Sequence, residues 1–187
     1  MARAAGHTPV AGRAVSKLGA SVPRGPVLLD TNVFINALAG RGPAVLRVLL
    51  EEARRLFVAA PTRAELAWLR GRLDPAHPGT QRVLAEVEAA LAHVDPAKVL
   101  VPLDQDWLEA GELAGHAARL LAAGGTKVAT AFDRVELISD AITAVLARQA
   151  GLAVVTEDRD FEVLAQLVPG LQVLRYERQG SAAPRGS

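Results

Sequence analysis

The sequence predicts an α/β protein in which a central, mainly parallel sheet is flanked by helices in a three-layer sandwich. Two observations support this fold class. Short apolar segments of strand length alternate along the chain with longer segments of helical periodicity. Several short segments, such as Pro26–Leu29 and Leu152–Thr156, are apolar at nearly every position, which is typical of parallel strands with both faces buried.

The predicted elements follow one another without a long linker. Strands are expected at Pro26–Leu29, Leu56–Ala60, Val99–Val101, Leu152–Thr156 and Leu171–Leu174. Helices are expected at Thr31–Leu38, Pro43–Arg55, Thr62–Leu73, Thr80–His93, Asp104–Ala122, Arg134–Ala150 and Phe161–Leu167. Capping-box spacing at Thr62-x-x-Glu65 and Asp133-x-x-Glu136 and an Asp104 cap support three of the helix starts, and Gly151 supports one helix end.

Composition limits the class of protein. With 187 residues, half of them hydrophobic, the chain can bury one sizeable core, so we expect one domain over residues 26–176. No apolar segment approaches the roughly 20 residues that span a bilayer. The chain has no cysteine, which excludes disulfides and thiolate metal sites and favours a cytoplasmic location.

The charge is unevenly distributed. Residues 1–24 carry four basic residues and no acid, which leaves 17 basic against 20 acidic residues in the remainder. The leader lacks clear apolar periodicity, so residues 1–25 are expected to form a basic arm without regular structure. Residues 177–187 are expected to form a flexible tail.

Four carboxylates stand out by their positions. Asp30, Glu65 and Asp158 each closely follow a predicted strand, and the carboxyl ends of parallel strands share one edge of the sheet. Asp140 lies in an otherwise Ala- and Ile-rich helix, with Glu136 four residues before it and no basic residue three or four positions away. Taken singly, each has a structural interpretation: a helix cap for the first three and a solvated surface acid for Asp140.

Taken together, the four acids indicate a cation site. Carboxylates that converge without a cation repel one another and raise their pKa values. A cluster that stays ionised at neutral pH therefore implies a hard cation such as Mg²⁺ or Mn²⁺. Histidine offers no alternative, because no pair has ligand spacing among His7, His77, His93 and His116.

Four segments carry a family resemblance when taken in order. VLLDTNVFINAL, the glutamate of TRAELAWL, SDAITAVLARQAG and VVTEDRDF resemble the PIN domain family of metal-dependent ribonucleases, especially the VapC-type toxins of toxin–antitoxin pairs. The resemblance runs from about Val27 to Leu174. It implies a PIN-like sandwich, a Mg²⁺ or Mn²⁺ site, an RNA substrate, a small antitoxin that blocks the acidic cleft, and a homodimer.

The resemblance also assigns residues. The family's acidic set falls on Asp30, Glu65, Asp140 and Asp158. In VVTEDRDF the last acid of the set is assigned to Asp158, and Asp160 is expected to cap the following helix. Neighbours that could orient ligands or water are Thr31, Asn32, Glu136, Thr156 and Asp160, and Lys127 and Arg134 are candidates for contacts with RNA phosphates.

Three other interpretations remain open. Phosphohydrolases with an aspartate nucleophile also place an acid after the first strand, but they resemble D-x-D, and this chain has Asn32 at the second position. A non-catalytic PIN-like module would retain the fold only to bind RNA or a partner. A metal nuclease acting on DNA would need the same acids, and the sequence does not separate DNA from RNA.

Overall fold

The computed structural model describes residues 15–19, 23–38, 41–52, 55–125 and 130–176. Strands in this part of the chain are β1 Val15–Lys17, β2 Val27–Leu29, β3 Leu56–Ala59, β4 Val99–Leu100, β5 Ala153–Thr156 and β6 Gln172–Arg175. Helices are α1 Thr31–Leu38, α2 Ala44–Glu51, α3 Ala60–Arg72, α4 Gln81–His93, α5 Asp104–Ala123, α6 Ala131–Ala150 and α7 Asp160–Leu167, with a 3₁₀ turn at Pro96–Lys98.

The strands form one sheet in the order β1-β6-β5-β2-β3-β4, and every described pair is parallel. β2 lies in the interior, with Leu29 opposite Val58 of β3 on one side and opposite Val155 of β5 on the other. From β2 the chain adds strands outward through β3 to β4, whereas β5 and β6 extend the opposite side. The carboxyl ends of β2 and β5 therefore meet at a switch point, where parallel sheets open a crevice.

Two helical layers cover the sheet, and residue alternation along each strand divides the core between them. In β2, Leu28 packs into the layer of α5, α6 and α7, whereas Val27 and Leu29 pack into the layer of α1 to α4. All three residues of β2 are buried, as the continuous apolar segment predicted. The three-layer α/β fold class is confirmed.

The layer of α5 and α6 is built from small residues. Three of the four buried residues of α5 are alanines, and α6 buries Ala141, Ala144 and Ala147, which lets the two helix backbones approach closely. Arg148 of α6 pairs with Glu109 of α5 through two hydrogen bonds of 2.7 and 2.9 Å. Gln149 donates to the buried Asp106 at 2.8 Å and, with the Leu103 amide, lowers the pKa of that carboxyl. These contacts hold α6 in a defined position over the sheet.

Three helix starts are capped differently from the sequence prediction. α3 begins at Ala60 with Pro61 in its first turn, so Thr62 and Glu65 lie inside the helix and form no capping box. α6 is capped by Thr130, whose side chain accepts from the Asp133 amide, so the predicted box at Asp133-x-x-Glu136 is wrong. α5 likewise begins with Asp106 accepting from the Leu103 amide, and no side-chain cap from Asp104 forms.

The end of α6 agrees with the prediction. Gly151 has φ +65°, a left-handed conformation that favours glycine, and its amide donates to Ala147 and Arg148 carbonyls. This turn leads directly into β5. Although α5 and α6 are each 20 residues long, neither they nor any other described helix is apolar enough to cross a membrane.

Part of the basic leader is structured. Val15–Lys17 form β1, which pairs with β6 at the sheet edge, and the Leu18 amide donates to the Arg175 carbonyl at 2.8 Å. The Leu18 side chain is buried in the core. The prediction of an arm without regular structure is therefore wrong for residues 15–18. Hydrogen bonds to β6 stabilise a strand here that the local sequence alone does not indicate. Residues 1–14 and the predicted tail, 177–187, lie outside the described residues.

A pair of neighbouring substitutions tests whether residues 15–18 pack against the core. Leu18→Ala removes a buried side chain and is expected to lower the free energy of unfolding by about 2 kcal/mol or more. Lys17→Ala, at an exposed position in the same strand, should change it by less than about 0.5 kcal/mol. Equilibrium urea unfolding measures both, and equal, negligible effects would show that the leader does not pack against the core.

Candidate metal centre

Asp30 lies at the switch point between β2 and α1. Its amide donates to the Val155 carbonyl at 3.1 Å, and its carbonyl accepts from the Phe34 amide at 3.1 Å. The backbone therefore continues the sheet ladder on one side and starts the helix on the other. Only 8 % of Asp30 is exposed, so the sheet delivers a nearly buried carboxylate to its carboxyl edge.

Thr156 holds Asp30 from the neighbouring strand. Its fully buried hydroxyl donates to Asp30 Oδ2 at 2.9 Å and accepts from the Asp158 amide at 2.9 Å. In turn, Asp158 Oδ1 accepts from the Asp160 amide at 2.9 Å. One hydroxyl thus links the ends of β2 and β5 and shapes the turn that carries two further carboxylates.

Glu65 is held by two hydroxyls rather than by a helix cap. Thr31 Oγ1 donates to Glu65 Oε2 at 2.6 Å, and Ser139 Oγ donates to Glu65 Oε1. Helices α1 and α6 therefore fix both oxygens of an acid on α3. The sequence analysis missed Ser139, although it adjoins Asp140 in the SDAIT segment.

Asp140, Asp158 and Asp160 form the tightest acidic group. One carboxylate oxygen from each lies within 4.8 Å of the others, in the range in which a single ion could contact all three. Asp140 comes from α6, Asp158 from the turn after β5, and Asp160 from the start of α7. Asp160 is the first residue of α7 and belongs to this group, and no side-chain cap forms at the start of that helix.

Burial and repulsion raise the pKa values of the innermost acids. Burial is the main cause for Asp30, whose pKa rises to about 7, with smaller contributions from the charges of Asp158 and Glu65. The hydroxyl of Thr156 acts in the opposite direction. The pKa of Asp140 is also raised well above its ordinary value, first by burial and then by the neighbouring carboxylates, beginning with Asp30.

The pKa values of the outer acids are raised as well. Burial, followed by the charge of Asp158, raises the pKa of Asp160. Burial, followed by Asp133, raises the pKa of Glu136. Among the described residues, none of the ion pairs includes Glu65, Asp158 or any of the acids with a raised pKa at this site. The described part of the chain therefore brings negative charge together without a cation of its own.

A cavity of about 750 Å³ contains this acidic group. Its wall includes all four acids of the predicted set, Asp30, Glu65, Asp140 and Asp158. The predicted neighbours Thr31, Asn32, Glu136 and Asp160 also line it, while Thr156 lies behind Asp30. The apolar part of the wall is formed mainly by side chains of α3 and α6.

The predicted RNA-binding cations are not part of this wall. Arg134 is exposed on α6 and does not line the cavity. Lys127 lies outside the described residues. The described part of the wall thus supplies acids and apolar groups but neither predicted cation.

The donor set fits a hard divalent cation. Carboxylate oxygens from three separate elements converge, and hydroxyl donors fix the orientation of Asp30 and Glu65. Such oxygen donors suit Mg²⁺ and Mn²⁺. The raised pKa values of Asp30 and Asp140 are the cost of assembling the group without an ion.

Asp30 therefore makes the stability of the metal-free protein depend on pH. The pKa of Asp30 in the folded state is raised from 3.8 to about 7. The free energy of unfolding should therefore be greatest below about pH 4 and should fall as the pH rises toward 7. Asp30→Asn should remove this fall, so in EDTA at pH 8 the variant should melt higher than wild type by roughly 3 °C or more. The difference should shrink toward pH 5.

Thermal melts in EDTA across this pH range measure the effect. Glu88→Gln, which removes a charge from an exposed position of α4, is the matched control and should follow wild type at every pH. An Asp30→Asn variant that melts below wild type at pH 8 would show that this carboxylate stabilises the metal-free fold, as a helix cap does.

Solved structures share the fold. A VapBC2 structure from Rickettsia felis bound to a promoter DNA fragment matches 81% of this chain and 98% of its own at 15% identity, with a TM-score of 0.52. DNA-bound VapBC from Salmonella typhimurium matches 81% and 98% at 24% identity, with a TM-score of 0.52. FitAcB from Neisseria gonorrhoeae matches 80% and 96% at 20% identity, with a TM-score of 0.52.

Sequence comparison identifies the family. Among curated proteins, no sequence matches this chain significantly. The family model described as PIN domain matches residues 27–167, which include Asp30, Glu65, Asp140, Asp158 and Asp160. The match extends over most of the chain and over every acid of the site, and the chain belongs to the PIN domain family.

Proposed function

We propose that the protein is a Mg²⁺- or Mn²⁺-dependent endoribonuclease that hydrolyses RNA phosphodiester bonds, and that it is the toxin of a toxin–antitoxin pair. The observation that carries the nuclease proposal is the acidic group of Asp140, Asp158 and Asp160 beside Asp30 in one cavity. Membership of the PIN domain family supports it. A nuclease with such a site requires no serine, cysteine or histidine nucleophile.

The proposed metal ligands are Asp30, Glu65, Asp140 and Asp158, with Asp160 as a further candidate. When bound, a divalent cation supplies a water that is nucleophilic at neutral pH and stabilises the charge that develops on the phosphate. Thr156 keeps the Asp30 carboxylate facing the cavity, and Thr31 and Ser139 keep both Glu65 oxygens fixed. These hydroxyls reduce the reorganisation that the acids would otherwise undergo on binding an ion.

Two alternatives are less well supported. A non-catalytic binding module would not need buried carboxylates that repel one another and whose pKa values are raised. A DNA nuclease would use the same acids, and the choice of RNA rests on the resemblance to VapC-type toxins. Parallel cleavage assays on RNA and DNA of the same sequence distinguish the two substrates.

Cleavage of RNA should require both the cation and the acids. We expect wild-type protein to cleave RNA internally with Mg²⁺ or Mn²⁺ and to lose this activity in EDTA. Asp30→Asn and Asp140→Asn should lower the rate by at least about 100-fold, since each removes charge from the site. Denaturing gel electrophoresis measures the products, and Asp104→Asn, at an exposed position of α5, is the control. Cleavage that survives chelation would contradict the mechanism.

The assignment of Asp158 over Asp160 is tested by the same assay. The family resemblance assigns the last acid of the set to Asp158, and a carboxylate oxygen of Asp160 lies in the same acidic group. We expect Asp158→Asn to be the more severely impaired variant. An inactive Asp160→Asn beside an active Asp158→Asn would reverse the assignment.

We also propose an antitoxin partner and a homodimer. VapBC structures and a FitAcB structure share the fold, and the resemblance implies a small protein that blocks the acidic cleft. The described ion pairs do not use the site acids, which leaves them available to an arginine or lysine of a partner. Charge complementarity would then both hold the partner and exclude a cation.

Two measurements test these partners. Sedimentation equilibrium at micromolar concentration should give twice the chain mass of 19.6 kDa. Expression of the wild-type chain alone should arrest growth of a bacterial host, whereas Asp140→Asn at the same protein level should not. A monomer would contradict the dimer, and equal growth of the two strains would contradict toxicity.

A further inference from the structure

Glu157 lies between two residues of the metal centre but does not itself line the cavity. Thr156, immediately before it, donates to Asp30, and Asp158, immediately after it, belongs to the acidic group. Glu157 instead contacts Asn36 of α1, whose side-chain amide donates to Glu157 Oε1 at 3.3 Å. The turn after β5 is therefore held by the site and also by a separate polar contact outside the cavity.

Tyr176, directly after β6, contacts both of these side chains. Its hydroxyl accepts from Asn36 Nδ2 at 3.4 Å and donates to the Glu157 carboxylate. Its amide donates to the Thr156 carbonyl at 3.0 Å, which continues the pairing of β5 and β6 by one residue. Asn36, Glu157 and Tyr176 thus form a closed set of hydrogen bonds, the anchor triad, which joins α1, the turn after β5 and the end of β6.

Two members of the anchor triad are buried, where water cannot replace a lost hydrogen bond. Only 4% of Asn36 and 3% of Tyr176 is exposed. Burial raises the pKa of Tyr176 to about 12, so its hydroxyl keeps its proton at neutral pH and remains a donor. Because a buried polar group without a partner is costly, the three side chains are strongly constrained to this arrangement.

The acidic group needs such an anchor because its members repel one another. Like charge contributes to the raised pKa values of Asp140 and Asp160, and Asp158 contributes in both cases. The strand pairing of β5 ends at Thr156, so beyond it the turn depends on side-chain hydrogen bonds. Without an opposing contact, repulsion would move the turn away from α6.

We propose that Asn36 and Tyr176 are positioning residues, which act through Glu157 to hold the turn after β5 in the geometry that binds a cation. This inference rests on the proposed metal-dependent function and adds residues that do not line the cavity. Removal of a side chain that orients metal ligands commonly weakens metal binding by about tenfold or more. The reason is that a ligand left free to move must be ordered when the ion binds.

A charge effect is the alternative explanation. Glu157 adds a negative charge beside the site, which would favour a cation without holding the turn. The two roles differ in what a substitution removes. Glutamine at this position keeps a hydrogen-bond acceptor and loses the charge, whereas alanine loses both.

Mn²⁺ binding to the full chain at fixed pH, measured by titration calorimetry without RNA, separates the two roles. Asn36→Ala, Tyr176→Phe and Glu157→Ala should each weaken binding by at least about fivefold. Glu157→Gln should retain the wild-type affinity to within about twofold, because the acceptor remains. The double variant Tyr176→Phe/Glu157→Ala should bind no more weakly than Glu157→Ala alone, because Tyr176 acts through Glu157.

A destabilised variant away from the cavity lining controls for a general loss of stability. Val87 of α4 is 1% exposed and does not line the cavity. Val87→Ala should therefore lower the melting temperature and leave Mn²⁺ affinity unchanged. Melts of all variants in EDTA verify that each is folded at the temperature of the titration.

Amide hydrogen exchange tests the anchor triad without any metal. In EDTA, Tyr176→Phe should speed exchange of the Asp158 and Asp160 amides by at least about tenfold, since both are hydrogen-bonded within the turn. The Asp30 amide, bonded to the Val155 carbonyl in the sheet, should exchange as in wild type.

The outcomes separate the positioning role from the proposed function. Unchanged Mn²⁺ affinity in Tyr176→Phe and Glu157→Ala would overturn the positioning role, even if wild-type protein cleaves RNA. Equal losses in Glu157→Gln and Glu157→Ala would assign the effect to charge and overturn it as well. A wild type that binds no Mn²⁺ would overturn the metal centre. Faster exchange in Tyr176→Phe would even then support the anchor triad, and equal exchange would overturn it.

Discussion

Repulsion among carboxylates in one cavity is the constraint on which the rest of the structure depends. Burial and like charge raise the pKa values of Asp30 and Asp140, so the fold holds these acids against a force that would separate them. The sheet supplies much of the restraint, since the Asp30 backbone is bonded into the ladder beside Val155. Small residues between α5 and α6 supply more, because they fix the helix that carries Asp140.

Hydroxyl groups complete the restraint without adding charge. Thr156, Thr31 and Ser139 donate to acids of the site, and each comes from a different element. A lysine or arginine in their place would neutralise an acid and compete with a cation for it. A hydroxyl fixes the orientation of a carboxylate and leaves its charge available, which suits a site that would hold a positive ion.

Much of the fold follows from the sequence alone. The strands β2, β3 and β5 are mainly apolar segments between clear helical patterns, and Gly151 ends α6 as expected. β1 could not be predicted, because Val15–Lys17 is short and half-exposed and depends on pairing with β6, which lies far along the chain. Local pattern contains no information about such a partner.

The candidate site, too, could be predicted from the sequence only in part. The convergence of Asp30, Glu65 and Asp158 follows from strand ends sharing an edge, and the structure brings them to one cavity with Asp140 of α6. Local capping rules gave the wrong role to the Thr62–Glu65 segment, because tertiary hydroxyl donors engage Glu65 instead. The Asp160 cap prediction failed in the same way, since only the fold reveals that its carboxylate joins Asp140 and Asp158.

The two walls of the cavity are also built differently. Asp30 is tied to the sheet ladder and nearly buried, so a change there alters both stability and the charge of the site. Trp68 and Phe132 project from helix surfaces, where replacement removes little packing from the core. Residues that would hold a cation are thus coupled to folding, whereas the exposed apolar side chains of the wall are not. Substitutions on the apolar wall can therefore change the surface beside the acids while the fold that supports the acids remains as it is.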